Sequence, residues 1–82
     1  MENLQKLSAQ ELCDAYRAEL RRLYGDECAD ASRVDSSRGW YYISVAGRCG
    51  DGSYYTHGIA SAYRKAKVIE MIEVLARRTS AC

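Results

Sequence analysis

The sequence predicts a two-layer α+β domain in the order α-β-β-β-α, with an antiparallel sheet carrying both helices on one face. Three observations predict it. Apolar residues recur at helical spacing at both ends of the chain, and between them lies a run of strong strand formers followed by a glycine-rich reversal. The chain has 82 residues, enough for one core only, so residues 1–82 form a single domain whose two helices must cover the same sheet face.

The first helix is announced by Ser8-Ala9-Gln10-Glu11, a capping box, with Leu7 and Leu12 at the two positions of a hydrophobic staple. From Ser8 as N-cap, Leu12, Cys13, Tyr16, Leu20, Leu23 and Tyr24 follow helical spacing and form the face to be buried, and Gly25 is placed to stop the helix. Arg21 and Arg22 fall in its last turn, where cations oppose the negative end of the helix dipole. Asp26 to Arg38 is polar and lacks a sustained period; Cys28, Ala29, Ala31 and Val34 predict a short strand near residues 27–34.

Trp40, Tyr41, Tyr42, Ile43 and Val45 are strand formers, and alternation sets Tyr41, Ile43 and Val45 on one face against Trp40, Tyr42 and Ser44 on the other. Gly47 to Gly52 holds three glycines in six residues and supplies the positive-φ positions of a tight turn, so Ser53 to Ile59 is predicted to return as the hairpin's second strand. The last third reads as a helix from Ala62 to Arg77, with Ser61 as N-cap and Ala62, Ala66, Ile69, Ile72, Leu75 and Ala76 as its buried stripe. One sheet face is then left to solvent or to a partner.

Composition narrows the function. The longest apolar stretch, around Trp40 to Ala46, is far below the ~20 residues of a membrane helix, and no signal-peptide pattern opens at Met1. A soluble, cytoplasmic protein without membrane attachment is expected. Cys13, Cys28, Cys49 and Cys82 have no zinc or redox spacing, so reduced thiols and neither metal nor cofactor are expected. The one histidine, His57, has no orienting Asn or Asp around a pairing with Cys49, and no catalytic constellation emerges. An enzyme is not expected.

Seven Tyr and one Trp, with no Phe, favour half-buried and interface positions over a dry core. The net charge is only +1, yet residues 58–82 carry five basic groups against two acidic ones. Arg64, Lys65 and Lys67 crowd the predicted start of the second helix, the end whose dipole repels cations. Exposed helix N–H groups with basic side chains favour an anion there, a phosphate or a protein carboxylate.

The stretch Trp40 to Leu75, and above all Gly58-Ile59-Ala60-Ser61-Ala62-Tyr63-Arg64-Lys65-Ala66-Lys67, resembles the C-terminal half of double-stranded-RNA-binding domains. The final helix of that family opens with a Lys-Lys-x-Ala-Lys element, and Tyr63, Arg64, Ala66 and Lys67 occupy its four places. The resemblance implies a double-stranded-RNA-binding-domain-like fold and a phosphate contact at the helix start. It extends less far to activity, because Tyr63 replaces the first basic residue and a chain without Pro lacks the family's Gly-Pro-x-His loop element. In size, tyrosine and charge content and lack of chemistry, the chain also resembles the small phage-encoded anti-CRISPR inhibitors, which work by occupying a partner's surface.

The function expected is therefore a non-catalytic module that docks on a protein or ribonucleoprotein partner, an inhibitor of the anti-CRISPR type. Its binding residues are expected to be Tyr63, Arg64, Lys65 and Lys67 at the helix start, with Trp40 and Tyr42 if their strand face is the uncovered one. The alternative is a degenerate double-stranded-RNA binder working through the same helix start. Whether the chain is a monomer or a dimer is left open by its sequence.

Overall fold

Ser8 starts the first helix as its neighbours dictate. In the computed structural model, which describes residues 4–56 and 59–78, the Glu11 N–H donates to Ser8 Oγ (3.2 Å) and the Ser8 N–H donates to the Glu11 carboxylate (3.0 Å). Both halves of the capping box are present. Helix α1 runs Ala9–Tyr24, after a single 3-10 turn at Leu4–Lys6, and ends where Gly25 takes φ 95°. Leu12, Cys13, Tyr16, Leu20 and Leu23 are buried as their spacing predicts, but Tyr24 stays 38% exposed at the helix end.

The region after Gly25 differs from expectation. Residues 27–34 do not form a strand: a second helix, α2, spans Asp26–Ala31, and β1 follows at Arg33–Ser37. Six residues make a marginal helix alone, and this one is held from outside. Arg21 pairs with Asp26 (2.8 Å) and Asp30 (3.0 Å). The Arg17 guanidinium donates to the Ala29 carbonyl in the last turn of α2 and to the carbonyl of its C-cap, Ser32. Ser32 is buried there, its hydroxyl donating to the Cys28 carbonyl (2.7 Å) and accepting from the Ala46 N–H (2.8 Å).

Strand β2, Trp40–Ser44, pairs antiparallel with β1 through a two-residue turn, Arg38-Gly39, both at positive φ (51° and 82°) as a tight hairpin turn requires. Its other neighbour is not the segment 53–59. The glycine-rich reversal closes only a separate two-stranded hairpin, β3 (Gly47–Arg48) with β4 (Tyr54–Tyr55), and Ile59 lies outside any strand. A Cβ at Gly47 would meet the tip of the Tyr55 ring opposite, which would have to move aside. His57 falls outside the described residues.

The third strand of the main sheet, β5, is Ser61–Tyr63, so the sheet order is β1-β2-β5 and Ser61 faces Ile43 instead of capping a helix. Helix α3 therefore begins three residues later than expected, at Lys65, and runs to Ala76, with Arg64 as an N-cap that makes no side-chain cap bond. The buried stripe moves with it. Val68, Ile72 and Leu75 are buried, Ile69 and Met71 pack at its edge, and Ala62 and Ala66 are exposed.

The chain is thus an α+β domain with an antiparallel sheet, one helix and one small hairpin richer than α-β-β-β-α. Helices α1 and α3 share one core with Val34, Tyr41 and Ile43 from the inner sheet face. They run in the same direction: Lys65 Nζ donates to the Gln5 carbonyl (2.9 Å) at their N-terminal ends, and Arg22 donates to the Leu75 (2.8 Å) and Arg78 (3.0 Å) carbonyls at their C-terminal ends. Val45, expected inside with Tyr41 and Ile43, lies just past β2 and is 37% exposed.

Candidate functional site

Strand alternation and the observed register decide which residues share the uncovered face. Residues directly opposite in an antiparallel ladder point to the same side. Val34 faces Ile43 and Ser36 faces Tyr41 on the inner side, so Arg33 with Ser44, Asp35 with Tyr42 and Ala62, and Ser37 with Trp40 form the outer side. Both helices lie on the inner side, against Tyr41 and Ile43. Among the described residues, no helix covers the outer one.

Two arginines lie on aromatic rings there. The Arg64 guanidinium sits 3.7 Å from the centroid of the Trp40 ring, and that of Arg33 sits 5.7 Å from the Tyr42 ring. Each stack is worth about 0.5–1 kcal/mol at an exposed site, and it holds a long side chain flat. A guanidinium lying on an indole keeps its N–H fork along the ring edge, where it can still take a carboxylate bidentately. Arg33 is further oriented by Asp35 on its own strand (2.8 Å). Trp40 is 36% exposed, so the ring is held yet open. A third such stack, Arg48 over Tyr54 at 5.8 Å, lies on the β3–β4 hairpin.

The cations expected to act together at the helix start are sent three ways. Arg64 turns to Trp40 on the outer face, Lys65 is tied to the Gln5 carbonyl, and Lys67 pairs with Glu70 at 3.2 Å. Tyr63 belongs to β5, opposite Tyr41, and packs half-buried against the core. Of the six residues expected to bind, Trp40, Tyr42 and Arg64 come together, and Tyr63, Lys65 and Lys67 lie elsewhere. Arg33 joins the face without having been foreseen. Its place follows from the turn at Arg38-Gly39, which sets Asp35 opposite Tyr42 and Arg33 one pair further along the same face, and the sequence does not announce that turn.

No cluster of three His, Cys, Asp or Glu able to hold a metal occurs among the described residues, and none of their helices is long and apolar enough to cross a membrane. Compared with family models, with curated proteins and with solved structures, the chain matches none.

Proposed function

We propose that this protein is a non-catalytic docking module whose outer sheet face, built on Trp40, Tyr42, Arg33 and Arg64, seats on an acidic-rimmed surface of a protein partner, alone or within a ribonucleoprotein. The observation that carries the reading is the Arg64–Trp40 stack on an uncovered face. It is a fixed aromatic anchor beside a fixed cation, the pairing enriched at interface hot spots. An inhibitor of the anti-CRISPR type, acting by occupancy, is the form of this function that the tyrosine and charge content favours. A double-stranded-RNA-binding-domain-like scaffold is in keeping with the order α1, β1-β2-β5, α3. Use of that scaffold on duplex RNA is disfavoured by the divergence of Arg64, Lys65 and Lys67, which leaves no row of cations for successive phosphates.

The test is capture from lysate on the immobilised chain, with and without nuclease, followed by affinity measurement on what is captured. The expected result is a protein that stays bound after nuclease, with a shallow salt dependence. Trp40→Ala and Arg64→Glu should each weaken it by ~2 kcal/mol, about thirtyfold, while leaving the circular dichroism unchanged. Loss of every captured species on nuclease treatment, with log affinity falling steeply and linearly with log salt, would establish the RNA reading instead.

A further inference from the structure

A groove of about 350 Å³ runs along the seam between the second half of α1 and the length of α3. Its apolar wall is Leu20, Val45, Met71 and Val74. Val45 and Val74 are 37% and 41% exposed, so apolar side chains from two separate elements converge on open space instead of on each other. That volume lies in the range of pockets that take one small ligand, and its walls have the usual apolar character.

The charges at its rim do not cancel. Lys67 is neutralised by Glu70 (3.2 Å), but Arg78 has no carboxylate partner among the described residues. Its guanidinium donates to the Tyr24 hydroxyl (3.4 Å), itself part of the lining. Because that hydroxyl oxygen accepts from Arg78, its own proton is free to be donated. A guanidinium fork and a phenolic O–H thus meet at the same end of an apolar trough. Together they supply the donors and the single positive charge that one carboxylate requires.

We propose that this groove binds a small amphipathic carboxylate, its apolar body against Leu20, Val45, Met71 and Val74 and its head group on Arg78 and Tyr24. The site lies on the helix layer and is independent of the outer sheet face.

Decanoate is a suitable probe, used below its micelle concentration, with decyltrimethylammonium as a counterpart of the same chain length and opposite charge. Calorimetric titration should show decanoate binding and the cation not binding. Amide shifts on decanoate addition should fall on Leu20 to Tyr24 and Met71 to Arg78. Arg78→Gln removes the charge at an exposed position and should weaken decanoate by about tenfold or more, as loss of a charge-assisted hydrogen bond does. Val74→Glu, also exposed, should do the same from the apolar wall by placing a like charge in it. Equal binding of the two probes overturns the proposal. So do shifts confined to the outer sheet face, or an unchanged affinity in Arg78→Gln.

Discussion

Removing one hydroxyl, that of Ser32, should loosen the joint between α2 and the end of β2. Ser32 is 5% exposed, and its Oγ both donates to the Cys28 carbonyl and accepts from the Ala46 N–H. In Ser32→Ala the Cys28 carbonyl keeps a partner, because it also accepts from the Ser32 backbone N–H at 3.0 Å. The half-buried Ala46 N–H is left without its acceptor. The side chain loses little volume, so no cavity contributes, and the effect isolates the unsatisfied donor. An orphaned donor costs ~1–3 kcal/mol when fully buried, and the partial exposure of Ala46 places this one at about 1–2. With an m-value of ~1 kcal/mol/M for a chain this small, the urea midpoint should fall by about 1–2 M at constant m. Ser37→Ala, at an exposed position of β1, should move it by less than ~0.5 M and serves as the control. A Ser32→Ala midpoint within the error of wild type would mean that water reaches Ala46 and that the hydroxyl is idle.

Ser8→Ala should lose about 0.5–2 kcal/mol in the same assay through the N-cap. The Glu11 carboxyl is held below its usual range, mainly by the Ser8 backbone N–H and then by the Ser8 hydroxyl, so its contribution is present above the ordinary glutamate pKa and fades as pH falls through the lowered one. The stability gap between wild type and Glu11→Gln should accordingly close on acidification; a gap that widens would contradict the capping box. In a Cys82→Ser background, iodoacetamide should modify exposed Cys49 first. Buried Cys13, whose thiol is pushed up chiefly by burial, and buried Cys28 should react only on unfolding, and simultaneous labelling of the three by mass spectrometry would refute that burial.

The elements legible in the sequence are those whose signals are local. The capping box from Ser8 to Glu11 and the stop at Gly25 contain their own hydrogen-bond partners, and α1 lies where they place it. Helix α2 has no such signal, because the groups that hold it, Arg17 and Arg21, come from another helix. The start of α3 differs from the sequence expectation for a related reason. Ser61 is a fitting N-cap by type, but its pairing opposite Ile43 outweighs that preference, and only the tertiary register reveals it. The turn at Arg38-Gly39 was hidden because Arg38 occupies a positive-φ position that Asn or Asp normally announces. Alternation separates Trp40 and Tyr42 from Tyr41 and Ile43, but which set lines the core is decided only by the helices packing on Tyr41 and Ile43. That Arg64 joins Trp40 and Tyr42 depends on where α3 begins, which the pairing of Ser61 in β5 decides.

The β3–β4 hairpin bears on how this chain could be lengthened or shortened. Strands β2 and β5 are direct neighbours, yet the chain leaves the sheet after Ser44 and rejoins it at Ser61, and none of the described residues in 45–60 belongs to the hydrophobic core. A side-chain bond that fastens this excursion to the body runs from the Thr56 hydroxyl to the Ala31 carbonyl (2.6 Å). The hairpin is thus a side excursion on the connection between two neighbouring strands. Replacing those 17 or so intervening residues by a five-residue loop lowers the chain entropy of closing β2 onto β5 by about 1 kcal/mol, and lengthening them costs comparably little. The exposed turn at Gly50 to Gly52 is consequently the natural place to graft a foreign peptide or reporter while Trp40 and Arg64 keep their positions.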